Sequence, residues 1–224
     1  MKRIVILSLM SLFLLVLSAC GFKSPTEKMY DKLEEVVSIE GGFEEQQEPL
    51  VTLEKEEQGI YNKIINLSLD EMDEITKLSD QALNSIANRK EHMEKEEDSI
   101  TKSKEKFETI KEDIDDLDEE KDKDLKKKAE DLYQTMMERY KVHDDLYANY
   151  INGLEQDKKL YEMFKQEDAS MEDLEAQVKN INETYQKVYD NNEKFNELTK
   201  KYNELKIDFY KKAGIDIQET EDKK

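Results

Sequence analysis

Residues 171–213 read MEDLEAQVKNINETYQKVYDNNEKFNELTKKYNELKIDFYKKA and carry the clearest structural signal in the chain. Apolar and aromatic side chains recur there at every seventh position, and a second series is offset from the first by three or four residues. The two series are Leu174, Ile181, Val188, Phe195, Tyr202 and Phe209, and Met171, Val178, Tyr185, Asn192 and Thr199. This spacing predicts one long helix that buries a single stripe against partner helices, as in a coiled coil.

Two earlier segments carry the same spacing, so the sequence predicts three long helices. Residues 69–117 have Met72, Ile86, Met93, Ile100, Phe107 and Ile114 at heptad positions, and residues 121–165 have Leu125, Leu132, Leu146 and a ladder of tyrosines. The acidic run DIDDLDEEKDKD, residues 113–124, separates them, and residues 166–169 break the pattern again. Short corners make consecutive helices antiparallel, with reversals expected near residues 119 and 168.

The region before residue 68 predicts shorter helices. Ser24-Pro25-Thr26-Glu27 is a helix start with a capping box and proline at the first position. Gly41-Gly42 is expected to end that helix, and a second is expected at 43–67, with Pro49 near its first turn. The predicted fold is all-α: an elongated antiparallel bundle of three long helices over residues 68–214, with N-terminal helices over 25–67 and a polar, disordered tail over 215–224.

Residues 1–19 have the features of a secretory signal peptide. Lys2 and Arg3 precede an apolar stretch from Ile4 to Leu17, and Leu17-Ser18-Ala19-Cys20 follows. The last four residues resemble the lipobox of bacterial lipoproteins, which implies cleavage between Ala19 and Cys20, a diacylglycerylated (palmitate-type) Cys20 and a short tether over 20–24. The alternative is an uncleaved membrane span, but about 14 residues reach only about 21 Å of a hydrocarbon core roughly 30 Å thick.

Charge and composition exclude several classes of function. The full chain has a formal charge of −20, and removing residues 1–19 takes away two cations and no acid, which leaves −22. A surface this acidic does not bind nucleic acid, which requires basic patches. The only cysteine is Cys20, so the mature chain offers no disulfide and no thiolate metal site. We expect no cofactor.

Candidate site residues are few, and each has a plain structural explanation. His92 and His143 lie on different helices without a metal-binding motif. The acidic corner at 113–124 lacks the central glycine of a calcium loop, which leaves a solvated tip or weak divalent-cation association. Tyrosines 133, 140, 147 and 161 could form a binding strip, although heptad spacing favours packing between helices. No nucleophile or oxyanion motif is present, so we expect no enzymatic activity.

One polar cluster is expected inside the bundle. If the chain reverses at residues 119 and 168, four polar residues come to lie at one level of the bundle: Glu96, Arg139, His143 and Asn192. Each occupies a core-side position where an apolar side chain is usual. We therefore predict a hydrogen-bonded layer of these four residues. Such layers commonly fix the register of a coiled coil; the alternative is a cation or ligand site within the bundle.

The chain resembles the YkyA family of Gram-positive bacteria, whose members are described as cell-wall-binding lipoproteins. The resemblance rests on the lipobox, the length of the mature chain and short segments such as Tyr61-Asn62-Lys63-Ile64-Ile65 and Phe209-Tyr210-Lys211-Lys212. The resemblance implies a non-enzymatic helical rod, anchored by acyl chains on the outer face of the cell membrane, that contacts the wall or a surface protein. The alternatives are a solute-binding lipoprotein or an accessory of wall metabolism, acting as adaptor or regulator of a surface enzyme or transporter.

Overall fold

The computed structural model describes residues 23–215, and this part of the chain is built from helices alone. The signal peptide, the predicted lipidation site Cys20 and residues 216–224 of the predicted disordered tail (215–224) lie outside the described residues. The helices are α1 (Pro25–Ile64), α2 (Met72–Glu108), α3 (Ile110–Asp115), α4 (Lys123–Phe164) and α5 (Met171–Ala213), with a 3₁₀ turn at Leu69–Glu71 before α2. The predicted all-α bundle is confirmed.

The bundle consists of two antiparallel helical hairpins. α1 packs along α2, α4 packs along α5, and α2 and α4 join the two hairpins at the centre. α1 and α5 approach each other in the first half of α1, where the Tyr30 and Tyr210 rings lie 5.1 Å apart and the Tyr210 hydroxyl donates to Glu34 over 2.8 Å; the Phe43 and Phe195 rings, 5.6 Å apart, are the last such contact toward the open end. The two hairpins are therefore closed at one end and separated at the other.

The N-terminal region is one long helix rather than two short ones, and the predicted break at Gly41-Gly42 is wrong. Gly42 lies against Ser99, whose hydroxyl donates to the Ile39 carbonyl over 2.8 Å, so the missing side chain lets α1 approach α2 closely. Pro49 also lies inside α1. Buried residues on both sides of these positions, such as Val36 and Leu50, hold the helix against α2, and this packing overrides the local preference for a break.

The corners lie where the reversals were expected, at residues 116–122 and 165–170. In the first corner the Asp118 side chain accepts from the backbone N–H groups of Glu120 and Lys121, each over 2.9 Å. Just before it, α2 and α3 are separated by a single turn at Thr109, whose carbonyl accepts from the Lys32 ammonium of α1 over 2.8 Å. Buried Asp113 pairs with the same lysine at 2.6 Å.

Three apolar clusters fill the bundle, and the two largest lie one toward each end. The cluster nearer the start of α1 includes Leu33, Phe107, Leu132 and Phe209, and the other includes Leu50, Ile86, Leu154 and Tyr161. In the tyrosine ladder Tyr140 and Tyr161 are buried and Tyr133 and Tyr147 are half-buried, so these rings pack between helices. Of the helices described here, none has the length and apolar character needed to span a bilayer.

Candidate functional site

A long groove opens between α1 and α5 in the half of the bundle where the two hairpins separate. We call it the α1/α5 groove. Its volume is about 950 Å³, α1 and α5 form its walls, and α2 and α4 form its floor. Phe43 and Phe195, whose ring centroids are 5.6 Å apart, close it at one end. The groove follows directly from the pairing of helices, because neither hairpin supplies a side chain layer to cover this stretch.

The first half of α5 is incompletely packed although its sequence pattern is the most regular in the chain. Between residues 171 and 194 only Gln177 and Thr184 are buried, whereas the second half buries Phe195, Leu198, Tyr202, Phe209 and Tyr210. The heptad residues Ile181 and Val188 are half-buried and line the groove. Beside them Tyr189 is 56% exposed, and across the groove Val51 is 46% exposed. The walls therefore present apolar surface to solvent.

Both walls carry the three–four spacing of a helix-packing stripe. The stripe on α1 is Phe43, Gln47, Leu50, Glu54, Glu57 and Tyr61, and the stripe on α5 is Val178, Ile181, Tyr185, Val188, Asn192 and Phe195. Residues at such spacing lie on one face of a helix and meet the side chains of a neighbouring helix. The two stripes face the same open space.

The floor of the groove holds a buried charged cluster around Arg89 of α2, which is 3% exposed. Its guanidinium donates to the Tyr150 hydroxyl over 3.0 Å and to the Tyr185 hydroxyl over 2.8 Å. It also pairs with the carboxylates of Glu57 and Asp157, both buried.

Glu54 extends this network toward solvent. The Tyr150 hydroxyl donates to the Glu54 carboxylate over 2.7 Å, and that carboxylate lies 3.7 Å from the Arg89 guanidinium. The Glu54 side chain is 42% exposed, so it is the carboxylate of this cluster that a ligand in the groove can reach directly.

The cluster contains more carboxylates than cations, and burial raises the pKa values of two of these carboxylates. Burial raises the pKa of Glu57 to about 7, because the opposing attraction of Arg89 is partly cancelled by the nearby Asp157. Burial also raises the pKa of Asp157, against the hydrogen bond that Tyr185 donates to it. With a pKa of about 7, Glu57 is partly protonated near neutral pH.

Gly153 of α4 gives the Tyr185 ring its position. A methyl group at Gly153 would lie 2.9 Å from the ring of Tyr185, which is too close for the ring to stay in place. The absence of a side chain lets the ring cross the floor and bring its hydroxyl to Arg89 and Asp157.

The structure brings together part of the predicted polar layer. The His143 ring Nε2 lies 3.0 Å from Glu96 Oε1, its Nδ1 lies 3.2 Å from Glu97 Oε2, and Gln47 donates to Glu96 over 2.6 Å. Burial lowers the pKa of His143, but the carboxylates of Glu96 and Glu97 outweigh it, and the net shift is upward. The imidazolium form is therefore stabilised inside the bundle.

The other two members of the layer lie elsewhere, and the prediction of one four-residue network is corrected. Arg139 lies one turn from His143, donates to both carboxylate oxygens of Glu40 over 2.8 and 3.0 Å, and donates to Thr199 over 2.7 Å. Asn192 is exposed on the groove wall and accepts from Asn196. The register placed it near the right level, but α1 and α5 do not close over it.

The remaining sequence candidates have structural surroundings of their own. His92 lies between α1 and α2, with its Nδ1 2.8 Å from Gln46 Oε1. The acidic corner is held by the hydrogen bonds of Asp118 and the ion pair of Asp113 described above. Within residues 23–215 no group of three or more His, Cys, Asp or Glu side chains is arranged to hold a metal ion.

The Arg89 cluster was not among the sequence predictions, although two features of the sequence indicate it. Arg89 occupies a heptad position between Ala82 and Glu96, and Glu57 interrupts the apolar spacing of its helix. Two opposite charges on inward faces of consecutive helices indicate a buried pair. The sequence predicted two short helices before residue 68, and that prediction did not bring Glu57 of α1 opposite Arg89 of α2.

Comparisons with known proteins agree with the predicted family. The profile of the YkyA family, described as "Putative cell-wall binding lipoprotein", matches residues 24–212. The "Uncharacterized lipoprotein YkyA" of Bacillus subtilis (strain 168) is 34% identical over 206 residues, covering 92% of this chain and 91% of the relative. A conserved Staphylococcus aureus protein of unknown function, solved by crystallography, has the same fold with a TM-score of 0.71 at 19% identity, over 85% of this chain and 98% of that one.

Proposed function

Because the chain belongs to the YkyA family of lipoproteins, we propose that it is a non-enzymatic binding protein, anchored through acyl chains on Cys20 to the outer face of the cell membrane. Its α1/α5 groove binds a component of the cell envelope, either the wall or a surface protein. The single observation that carries this proposal is the groove itself, in which a regular helix-packing stripe is left open over half of α5.

The position of the groove along the rod supports this function. Only three residues, 21–23, separate Cys20 from the helix cap Ser24. The α1 wall of the groove runs from Phe43 to Tyr61, which lies about 27 to 54 Å along the helix from Pro25. A rod standing on its lipid anchor therefore presents the groove away from the membrane surface.

The chemistry of the groove favours binding over catalysis. Within residues 23–215 no histidine, cysteine or serine lines it, and the carboxylates of Glu57 and Asp157 are engaged with Arg89. Both carboxylates are buried, and Asp157 also accepts a hydrogen bond from the Tyr185 hydroxyl.

Two variants of α5 test the groove. Ile181→Lys places a charge on the groove wall, and Ile207→Lys places the same charge on the same helix at a residue that is 41% exposed and does not line the groove. Purified cell-wall sacculi should retain the mature chain, or crosslinking in cells should capture a surface protein. In either experiment Ile181→Lys should reduce the amount retained or crosslinked, and Ile207→Lys should leave it unchanged. Equal behaviour of the two variants would remove the groove from the proposal.

The anchor is tested separately. Cys20→Ala should abolish incorporation of an acyl-chain analogue during metabolic labelling and release the protein or leave it as a precursor. Labelling of the Cys20→Ala variant would contradict lipidation at this residue.

A second candidate function, the accessory or regulator of a surface enzyme or transporter, is favoured by the helix-like spacing of both groove walls. A protein partner would be captured by crosslinking at residue 181 with no retention on sacculi. Wall binding would instead give retention on sacculi and no crosslinked protein partner.

A further inference from the structure

The two walls of the α1/α5 groove have the geometry of a missing helix layer. Each wall carries a three–four stripe, and the α5 stripe from Val178 to Phe195 spans about 26 Å. A helix of about 18 residues has that length. Its side chains would meet aliphatic positions on both sides, including Val51, Ile181 and Val188. Recognition of an amphipathic helix by such a groove is a recurrent mode of protein binding.

The lining of the groove is acidic. Glu54, Glu57, Glu96 and Asp157 line it, and Arg89 is the only lysine or arginine among the described residues that line it. Glu96 is matched by His143, which leaves three carboxylates with one guanidinium at the floor. An additional cation beside Glu54 would reduce this excess of negative charge.

We propose that the groove is the docking site for a cationic amphipathic helix of a partner protein, whose apolar face packs between α1 and α5 and whose lysine or arginine side chains reach Glu54 and the Arg89 cluster. This inference rests on the proposed function and names the class of ligand that the groove takes. It makes the protein an adaptor that holds a basic segment of a surface protein at a set distance from the membrane.

Two other occupants fit the groove less well. A second copy of this chain would bring together two molecules of formal charge −22 after removal of the leader, at a site whose own charge is negative. A wall glycan would stack on exposed aromatic ring faces and hydrogen-bond to free polar groups beside them. Here the hydroxyls of Tyr150 and Tyr185 are bonded to Arg89, and that of Tyr189 donates to Glu193 over 2.9 Å.

Protonation of the cluster links binding to pH. The groups that face Glu57 are Glu54 on α1, Arg89 on α2, Tyr150, Asp157 and Tyr161 on α4, and Tyr185 on α5. A cation bound beside Glu54 favours the ionised form of Glu57, so binding releases a proton from the cluster. The affinity for a cationic helix should therefore rise between about pH 6 and about pH 8.

The test uses the mature chain, residues 20–224 with Cys20→Ser so that no detergent is needed, and a synthetic helix of about 18 leucine and lysine residues as the probe. Two control peptides are matched in length: one has glutamate in place of lysine, and one has the same composition in an order without an apolar face. Binding is measured by calorimetry at two pH values. The protein variants are Ile181→Lys with Ile207→Lys as control, and Glu54→Gln with exposed Glu45→Gln on the same helix as control.

The cationic amphipathic peptide should bind, and Ile181→Lys and Glu54→Gln should each weaken it by about tenfold while the two control variants bind as the parent chain does. Equal binding of the three peptides, or equal binding of each variant and its control, would overturn the helix as occupant. If sacculi retain the parent chain and Ile181→Lys weakens that retention, but the peptide does not bind, the proposed function stands and the cationic helix is excluded as the occupant. A dimer that Ile181→Lys dissociates would identify a second copy as the occupant instead.

Discussion

At the scale of single residues, Arg89 shows how the groove combines stability with an incomplete charge balance. Its guanidinium contacts groups from α1, α4 and α5, so one side chain ties both hairpins together at the floor. A buried pair seldom adds net stability, but removing one member leaves an uncompensated charge. The cluster is therefore sensitive to the protonation of its carboxylates.

Glu57→Gln should make the stability of the protein less dependent on pH. In the folded state the pKa of Glu57 is raised to about 7, against 4.5 for an ordinary glutamate. Between these values the folded state binds more protons than the unfolded state, so the free energy of unfolding falls as pH rises. In Glu57→Gln this fall should be smaller by about 1–3 kcal/mol.

Denaturant unfolding at about pH 5 and about pH 8 measures this difference. Some decrease should remain in the variant, because His143 also has a raised pKa and its stabilisation is lost as pH rises through that value. Glu45→Gln, at an exposed position of the same helix, should leave the parent pH dependence intact. An unchanged profile in Glu57→Gln would mean that Glu57 is not the group holding the proton.

Glu96→Leu and Asn192→Leu should differ strongly although both remove a polar group from a heptad position. Glu96→Leu takes away a carboxylate that stabilises buried His143 and should cost about 3–5 kcal/mol of unfolding free energy. Asn192 is exposed and bonded to Asn196, so Asn192→Leu should change stability by less than about 0.5 kcal/mol. Chemical unfolding of the two variants at one pH decides this, and similar losses would mean that Asn192 is buried in solution.

The two residues also show what sequence can predict about a site. Heptad register and the positions of the corners place Glu96 opposite His143, because both depend on spacing along the chain. Whether an inward position is covered depends on the distance between helices that are not consecutive. The chain gives no local signal for the separation of α1 from α5, so Asn192 was expected in a core that does not close there.

At the scale of elements, α1 shows packing overriding local preference. Glycine and proline are the residues that most often end helices, yet α1 continues through Gly41, Gly42 and Pro49 because its buried face follows α2 on both sides. The sequence pattern located this apolar face correctly over much of its length. It did not show that Gly42 serves close approach to Ser99 rather than a turn.

Gly41→Ala and Gly42→Ala test this interpretation as a matched pair. An alanine side chain at Gly41 meets nothing within 4 Å, so its higher helix propensity should stabilise the protein by about 0.5–1 kcal/mol. At Gly42 the added carbon would lie 3.1 Å from the Ser99 hydroxyl and disturb its bond to Ile39, so the gain should be lost or reversed. Thermal unfolding of both variants provides the comparison; destabilisation by both would indicate a break in α1 at this point.

At the scale of the whole molecule, two hairpins that close at one end and separate at the other form a rod with an open side. The helices α1, α4 and α5 contain 40, 42 and 43 residues, which gives lengths of about 60–65 Å. The elongated shape was predictable from the long segments 69–117, 121–165 and 171–213, because three helices of about this length joined by short corners must run side by side. The separation of the hairpins was not, because it depends on which pairs of helices pack most tightly.

Small-angle scattering of residues 20–224 with Cys20→Ser should show this shape in solution. A compact domain of this size has a radius of gyration of about 17 Å, and a rod built on helices of about 60 Å should give about 20 Å or more. Light scattering on the same sample must report a monomer, because side-by-side or end-to-end association would also raise the value. A monomer near 17 Å would mean that the helices fold back on themselves, and the groove between α1 and α5 would then not exist as described.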